Sequence, residues 1–108
     1  MNATANEPLI DPSLVRTFLA VAEAGSISGG ARRVFRTQST ASTQIQNLEE
    51  QLGVRLFERD TRRLALTEEG ERFRGHAERL LEVNHQALLA LVPEGGFAEA
   101  PASCPSIT

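Results

Sequence analysis

The sequence contains a single cysteine, Cys104, and no long hydrophobic run. One cysteine excludes an intramolecular disulfide, as is common in proteins of the reducing cytoplasm. No apolar stretch reaches the roughly 18 residues of a membrane-spanning helix, and the N-terminus lacks the basic-then-apolar order of a secretory signal. These absences predict a cytoplasmic protein with no membrane partner. The length of 108 residues predicts one small domain.

The side-chain arrangements of catalytic and metal sites are also missing. No nucleophile–base arrangement, glycine-rich phosphate loop or zinc motif is recognisable. The two histidines, His76 and His85, are nine residues apart on one helix, with no cysteine near them. The sequence therefore predicts no enzyme activity, no catalytic residue, no cofactor and no metal site.

Lysine is absent, so all eleven basic residues are arginines. The net charge of −3 argues, as a bulk property, against a nucleic-acid partner. The charge is unevenly distributed, however. Residues 28–66 hold seven arginines against four acidic residues, whereas residues 67–108 hold three against seven. The basic excess is confined to one segment, which is typical of proteins that present one face to DNA.

Helical spacing and end signals predict two helices before residue 36. Asp11 is an N-cap with Pro12 at the first helical position, and Gly25 ends this first helix. A short second helix is predicted from about Ser28 to Phe35, with Ser26 or Ser28 as its cap. Its glycines make it weak unless other elements hold it by packing.

The third helix, from Thr37 as N-cap to Gly53 after its end, has two contrasting faces. The spacing places its apolar residues on one face, namely Ala41, Ile45, Leu48 and Leu52. The opposite face is polar and neutral, and its predicted DNA-binding residues are Gln38, Ser39, Ser42, Thr43 and Gln46. Short neutral donors and acceptors suit base edges in a major groove, although serine and threonine near a helix start also serve as caps.

The second and third helices are joined by so tight a turn that they form a helix-turn-helix unit. Three arginines surround the turn, and they would lie near the DNA backbone or form a solvated cluster: Arg32, Arg33 and Arg36.

A short β-hairpin is predicted next, from the partly alternating segments 54–59 and 63–66 around a turn. The apolar residues that should pack on the helices are Leu56, Phe57, Leu64 and Leu66, because an isolated hairpin is marginally stable. The tip carries Arg59, Arg62 and Arg63. Arginines at such a tip suit a narrow minor groove, and an exposed loop kept soluble by charge is the alternative.

Thr67 then caps a long helix that continues to about Val92, a length of roughly 36 Å. Its apolar stripe requires a partner helix, most economically the same helix of a second subunit. The predicted dimerisation residues are Phe73, Ala77, Leu80, Leu81, Asn84, Leu88 and Leu91. Asn84 would determine the register, or would face solvent if the seam is centred on Leu81 and Leu88.

The predicted architecture is therefore mainly α with a small β-hairpin. A winged helix-turn-helix occupies residues 11–66, and a long dimerisation (linker) helix occupies residues 67–92. Residues 1–10 and 93–108 are predicted to be disordered, because the first are aperiodic and the last are rich in proline, alanine, glycine and serine.

These elements carry the motifs TQSTAS, LGVRLFER and LTEEG, which begin at Thr37, Leu52 and Leu66. In this order and spacing, residues 12–92 resemble the DNA-binding domain and linker helix of LysR-type transcriptional regulators. The resemblance implies a dimer that binds double-stranded DNA at interrupted inverted repeats near promoters. It also implies major-groove contacts from Gln38, Ser39, Ser42 and Thr43, a minor-groove contact from Arg62, and a backbone contact from Arg59.

Members of this family normally continue into an effector-binding domain, which the sequence does not contain, so no small-molecule effector site is expected. One hypothesis is a homodimeric regulator without a sensor. Another is an interaction protein that forms heterodimers with full-length relatives through its linker helix and blocks them. The third is a decayed fragment, which Gly29, Gly30 and the small core residue Ala41 favour.

Overall fold

The computed structural model describes residues 9–59 and 64–91, and of Arg59 only the backbone. The described elements are, in order, α1 (Pro12–Ala24), α2 (Ile27–Arg33), α3 (Gln38–Leu52), β1 (Phe57–Arg59), β2 (Leu64–Leu66) and α4 (Glu68–Leu91). This confirms the predicted fold class of helices, a small hairpin and a long final helix. The predicted disordered segments, 1–10 and 93–108, lie outside the described residues except for Leu9 and Ile10.

Helix α1 begins at an aspartate that caps its first turn and ends at a glycine in the left-handed conformation. The Asp11 carboxylate accepts hydrogen bonds from the Ser13 backbone N–H at 2.9 Å and from its hydroxyl at 2.8 Å. These two bonds, the backbone one foremost, lower the pKa of Asp11. Gly25 has a φ of 78° and donates its N–H to the Val21 carbonyl. Both predicted ends of the first helix are confirmed.

Helix α2 begins one residue earlier and ends two residues earlier than predicted. Ser26 is the N-cap, and its hydroxyl accepts the Gly29 N–H at 3.0 Å. The helix cannot include Phe35, because this residue has a φ of 58°, which is incompatible with a right-handed helix. The chain reverses there, and the Arg36 N–H donates back to the Ala31 carbonyl at 2.9 Å.

Gly30 allows α1 and α2 to pack with their backbones in close contact. A Cβ atom at this position would lie 2.5 Å from Val21 Cα and would overlap the Val21 side chain. Only glycine permits such an approach. Gly30 therefore serves the packing of α2, which removes it as an argument for a decayed fragment.

The two strands form an antiparallel hairpin with the register Phe57↔Leu66, Glu58↔Ala65 and Arg59↔Leu64. They are shorter than the predicted segments. The apolar residues of the hairpin pack on the helices as expected: Leu56 and Phe57 are buried, and Leu64 and Leu66 are half-buried against the core.

The hydrophobic core lies where α1, α3, the hairpin and the first half of α4 meet. Its centre is Phe18, whose ring lies 5.4 Å from the Phe57 ring and 5.2 Å from the Phe73 ring. The other core residues are Val15, Val21, Ile45, Leu48, Leu56 and Ala77. Such offset aromatic contacts add to the burial of apolar surface, so three separate elements are joined through one phenylalanine.

The first half of α4 belongs to this core, which corrects part of the predicted dimer contact. Ala77 has no exposed surface, so it cannot contact a second chain and its assignment to the dimer contact is wrong. Phe73 and Leu81 are half-buried against the same core. Ala77 was assigned to the dimer because the apolar stripe of α4 faces the protomer's own helices over part of its length. Residue spacing alone does not distinguish a contact within the protomer from a contact with a second subunit.

No residue in the second half of α4 is buried by the described part of the chain. Every residue from Glu82 to Leu91 is exposed. The large apolar side chains on this half that remain in contact with solvent are Val83, Leu88, Leu89 and Leu91. None of the helices in the described part of the chain is long and apolar enough to cross a membrane.

Candidate nucleic-acid interface

Helix α3 is held by its apolar face and its two ends, as predicted. Ala41, Ile45 and Leu48 have no exposed surface. The Thr37 hydroxyl accepts the Thr40 N–H at 3.1 Å, and Gly53, at a φ of 78°, ends the helix. These contacts determine which face of α3 is turned away from the core.

A hydrogen bond from a buried threonine to a half-buried glutamine also orients α3, and sequence reasoning missed it. The hydroxyl of Thr17, which is 2% exposed, donates to Gln44 Oε1 at 2.6 Å. Gln44 lies between the apolar and polar faces of α3, so the bond restrains rotation of the helix against α1. A buried threonine in the apolar stripe of α1 was the signal available in the sequence, because a buried hydroxyl needs a partner.

The polar face of α3 is open. Gln38, Ser39, Thr43 and Gln46 are exposed and Ser42 is half-buried. Within residues 9–59 and 64–91, the Gln38, Ser42, Thr43 and Gln46 side chains form no hydrogen bond. Five predicted site residues thus share one accessible face, and four of them have donors and acceptors available to a ligand.

The arginines beside this face are not equivalent. Arg32 and Arg36 are exposed, whereas Arg33 Nη1 lies 3.0 Å from Glu23 Oε1 on α1. An exposed pair of this kind contributes at most about 1 kcal/mol to stability, but it engages one nitrogen of the Arg33 guanidinium with a carboxylate. Arg36, next to the Thr37 cap, is the cation adjoining the start of α3.

The hairpin is connected to α3 and α4 by polar contacts at its base. The Glu49 carboxylate accepts the Leu56 N–H at 2.8 Å and the Phe57 N–H at 3.3 Å. The Thr67 hydroxyl donates to the Arg55 carbonyl at 2.6 Å and accepts the Gly70 N–H at 2.9 Å. Thr67 therefore caps α4 as predicted, whereas the role of Glu49 was not anticipated.

The predicted tip residues can be placed only in part. Arg59 is the last residue of β1, where it pairs with Leu64. Arg62 and Arg63 lie outside the described residues. Their contacts with DNA stay a prediction.

Neither histidine belongs to a metal-binding cluster of described residues. Among the described residues, no group of three or more histidine, cysteine, aspartate or glutamate side chains could hold a metal ion. The Arg79 guanidinium lies 2.8 Å from His76 Nδ1 on the same exposed side of α4.

Residues 12–71 match the family described as bacterial regulatory helix-turn-helix protein, lysR family. The chain belongs to the LysR family. The match spans α1, α2, α3, the hairpin and the start of α4, which are the elements that build the site. The resemblance identified from the sequence is confirmed.

Relatives within the LysR family are longer than this chain. The HTH-type transcriptional regulator PecT of Dickeya dadantii is 42% identical over 83 residues, which cover 77% of this chain and 26% of PecT. DgdR of Burkholderia cepacia, also an HTH-type transcriptional regulator, is 36% identical over 96 residues, or 89% of this chain and 33% of DgdR. The chain thus spans about a quarter to a third of these relatives.

Solved LysR-family structures share the fold. The DNA-binding domain of BenM in complex with catB site 1 DNA superposes with a TM-score of 0.70 and 38% identity, covering 73% of this chain and 85% of that one. The CbnR DNA-binding domain in its DNA complex superposes with a TM-score of 0.70 and 34% identity, covering 87% of this chain and 100% of that one. Both similar domains were solved in complex with DNA.

Proposed function

We propose that this LysR-family chain is a transcriptional regulator that binds double-stranded DNA sequence-specifically as a dimer. The observation that carries the proposal is the polar face of α3, where four of the five neutral side chains form no hydrogen bond within the described chain. An exposed α-helix of this kind fits a major groove, where donors and acceptors identify the base pairs. Such a role places the protein in the cytoplasm and requires no catalytic group.

The roles within the site follow from position. Gln38, Ser39, Ser42, Thr43 and Gln46 read base edges, because they occupy the outward face of α3. Arg36 contacts a phosphate beside the helix start, where the positive end of the helix dipole acts in the same direction. The arginines of the hairpin contact the adjacent backbone and minor groove: Arg59, Arg62 and Arg63.

The dimer forms through the uncovered side of α4. Leu80, Val83 and Asn84 line an open groove together with Ile10 and Pro12, which precede or begin α1. Leu91 continues the same side of α4 to the end of the described helix. Because a second copy of α4 offers the same apolar surface, the groove and the helix can cover one another reciprocally about a two-fold axis.

Val83 extends the contact predicted from the sequence, and Asn84 lies among its apolar residues. A dimer with two α3 helices binds two half-sites, which corresponds to an interrupted inverted repeat. Sedimentation that shows a monomer at micromolar concentration would contradict the dimer.

Capture of genomic DNA fragments by the purified protein across a salt series tests the function. Enrichment of one dyad motif that persists near about 0.15 M salt would support a specific dimer. Uniform recovery that disappears as salt rises would indicate binding by counterion release alone and would refute specific recognition.

The uncovered half of α4 also favours a second candidate function, capture of a longer LysR-family relative in a heterodimer. The same apolar surface would pair with the corresponding helix of the relative, and the mixed dimer would be blocked. Co-expression with a tagged relative from the same genome tests this. Recovery of homodimers alone would exclude the heterodimer.

A further inference from the structure

The two ends of α3 differ in charge. The first turn contains no acidic residue, and Arg36 lies just before it. The last turn contains Glu49 and Glu50 and no basic residue. A helix already has partial positive charge at its N-terminus and partial negative charge at its C-terminus. The side chains of α3 therefore increase the charge difference between its two ends.

The two glutamates are in different environments. Glu49 is half-buried, and the hydrogen bonds from the Leu56 and Phe57 N–H groups offset its unfavourable position at the negative helix end. Glu50 is exposed and, within the described part of the chain, forms neither a hydrogen bond nor an ion pair. The Glu50 carboxylate is therefore in contact with solvent, and Arg55, which lines the same open surface depression, forms no ion pair with it.

Glu50 lies on the polar face of α3. It follows Gln46 by four residues and Thr43 by seven, which places the three side chains in one row along the helix. The rise of an α-helix separates Glu50 from Thr43 by roughly 10 Å along the axis. The row thus begins with neutral side chains that can read bases and ends with a negative charge.

We propose that Glu50 is a specificity-determining residue, which keeps the C-terminal end of α3 away from DNA phosphates. The inference rests on the proposed function. Phosphates line the groove of every sequence, so repulsion by Glu50 raises the free energy of any complex in which α3 lies along the groove for its full length. A correct operator retains α3 by its first turns, where Gln38 and Ser39 contact base edges. Glu50 therefore weakens non-specific complexes more than specific ones.

The test compares Glu50→Gln with the wild-type chain on two duplexes of equal length. One carries the motif enriched in the genomic capture, and the other is a scrambled sequence of the same composition. At low ionic strength Glu50→Gln should bind the scrambled duplex about fivefold more tightly, the effect of removing one charge contact in water. Affinity for the motif should change by about twofold or less, so the ratio of the two affinities falls.

Glu82→Gln is the matched control. Glu82 is an exposed glutamate on α4 whose carboxylate accepts a bond from Gln86, and it is remote from α3 in the sequence and on another element. Its substitution makes the same change in net charge and should leave both affinities unaltered. The melting temperature of Glu50→Gln should be at least as high as that of the wild type, because an acidic group is removed from a helix C-terminus.

Three results would overturn the proposal. Unchanged or weaker binding of Glu50→Gln to the scrambled duplex would show that the charge does not limit non-specific contact. A loss of affinity for the motif alone would show that Glu50 accepts a hydrogen bond from a base instead. Equal binding of both duplexes by the wild-type chain would refute the proposed function and this inference with it.

Discussion

Helices α3 and α4 place one face each in the same core, yet their uncovered faces differ in chemistry. From Gln38 to Gln46 the free face of α3 carries neutral amides and hydroxyls, whereas the free side of α4 carries Leu80, Val83 and Leu91. Hydrogen-bonding groups remain solvated until a ligand replaces water, but exposed apolar groups gain free energy by leaving water. The first face suits a duplex with patterned donors and acceptors, and the second suits another protein helix.

The largest loss of stability is expected from a substitution on the buried face of α3. Leu48→Ala should reduce the free energy of unfolding by about 2–5 kcal/mol, because Leu48 is completely buried and the change leaves a cavity. Asn47→Ala, on the exposed side of the same helix, should change it by about 0.5 kcal/mol or less. Denaturant unfolding followed by circular dichroism at one protein concentration measures both. Equal stability of the two variants would contradict the assigned inner face.

The uncovered side of α4 is tested by introducing a charge. Leu80→Asp should weaken the dimer by about a hundredfold or more, since an unpaired carboxylate would be buried between subunits. Leu89→Asp introduces the same charge on the opposite side of α4, where Leu89 is also exposed, and should leave the dimer intact. Sedimentation equilibrium distinguishes them, and equal weakening by both would refute the proposed side.

Two glycines distinguish the inner and outer sides of α4 within the protomer. A Cβ atom at Gly70 would overlap the Leu56 carbonyl oxygen, so Gly70→Ala should cost about 1–3 kcal/mol of stability. Apart from its chain neighbours and the adjacent backbone of α4, no described atom would lie within 4 Å of a Cβ atom at Gly75, so Gly75→Ala should add up to about 1 kcal/mol through helix propensity. Relative to the wild type, the melting temperature should fall for Gly70→Ala and rise for Gly75→Ala. A stabilised Gly70→Ala variant would show that the hairpin does not rest on α4.

Two variants should distinguish base recognition from phosphate binding in the α3 region. Gln38→Ala should lower affinity for the selected motif by about 1–3 kcal/mol and leave binding to a scrambled duplex unchanged. Arg36→Ala should weaken both complexes and reduce the salt slope by about one. Fluorescence anisotropy across a salt series measures both quantities. A Gln38→Ala variant that loses affinity for both duplexes equally would remove Gln38 from the base-reading set.

The smallest loss of stability is expected from removal of the hydrogen bond between Thr17 and Gln44, which orients α3. Thr17→Val keeps the shape of the side chain but removes the donor to Gln44, and should cost about 1 kcal/mol of stability. Thr17→Ser retains the hydroxyl and serves as the control for the bond. Equal losses in the two variants, measured by denaturant unfolding, would attribute the effect to packing of the methyl group and not to the hydrogen bond.

Features that depend on neighbouring residues were predictable from the sequence. The caps Asp11, Thr37 and Thr67 and the terminating glycines Gly25 and Gly53 were confirmed, because a cap is formed by groups a few residues apart. The end of α2 was predicted too late, since no local rule indicates that Phe35 adopts a positive φ. The contact residues on the outer face of α3 stay predictions about DNA, but their shared exposure followed from helical spacing.

The sequence by itself determined the order of elements, the ends of most helices and the family, because periodicity, capping and motif spacing are properties of short segments. Only the tertiary structure decided which neighbour covers each apolar residue. It placed Ala77 in the protomer's core, left Val83 exposed and showed that Gly30 packs on Val21. It also showed that Glu49 accepts hydrogen bonds from the hairpin, whereas Glu50 forms none within the described residues. The physical reason is that burial and hydrogen bonding depend on residues distant in the chain, whose approach no local pattern records.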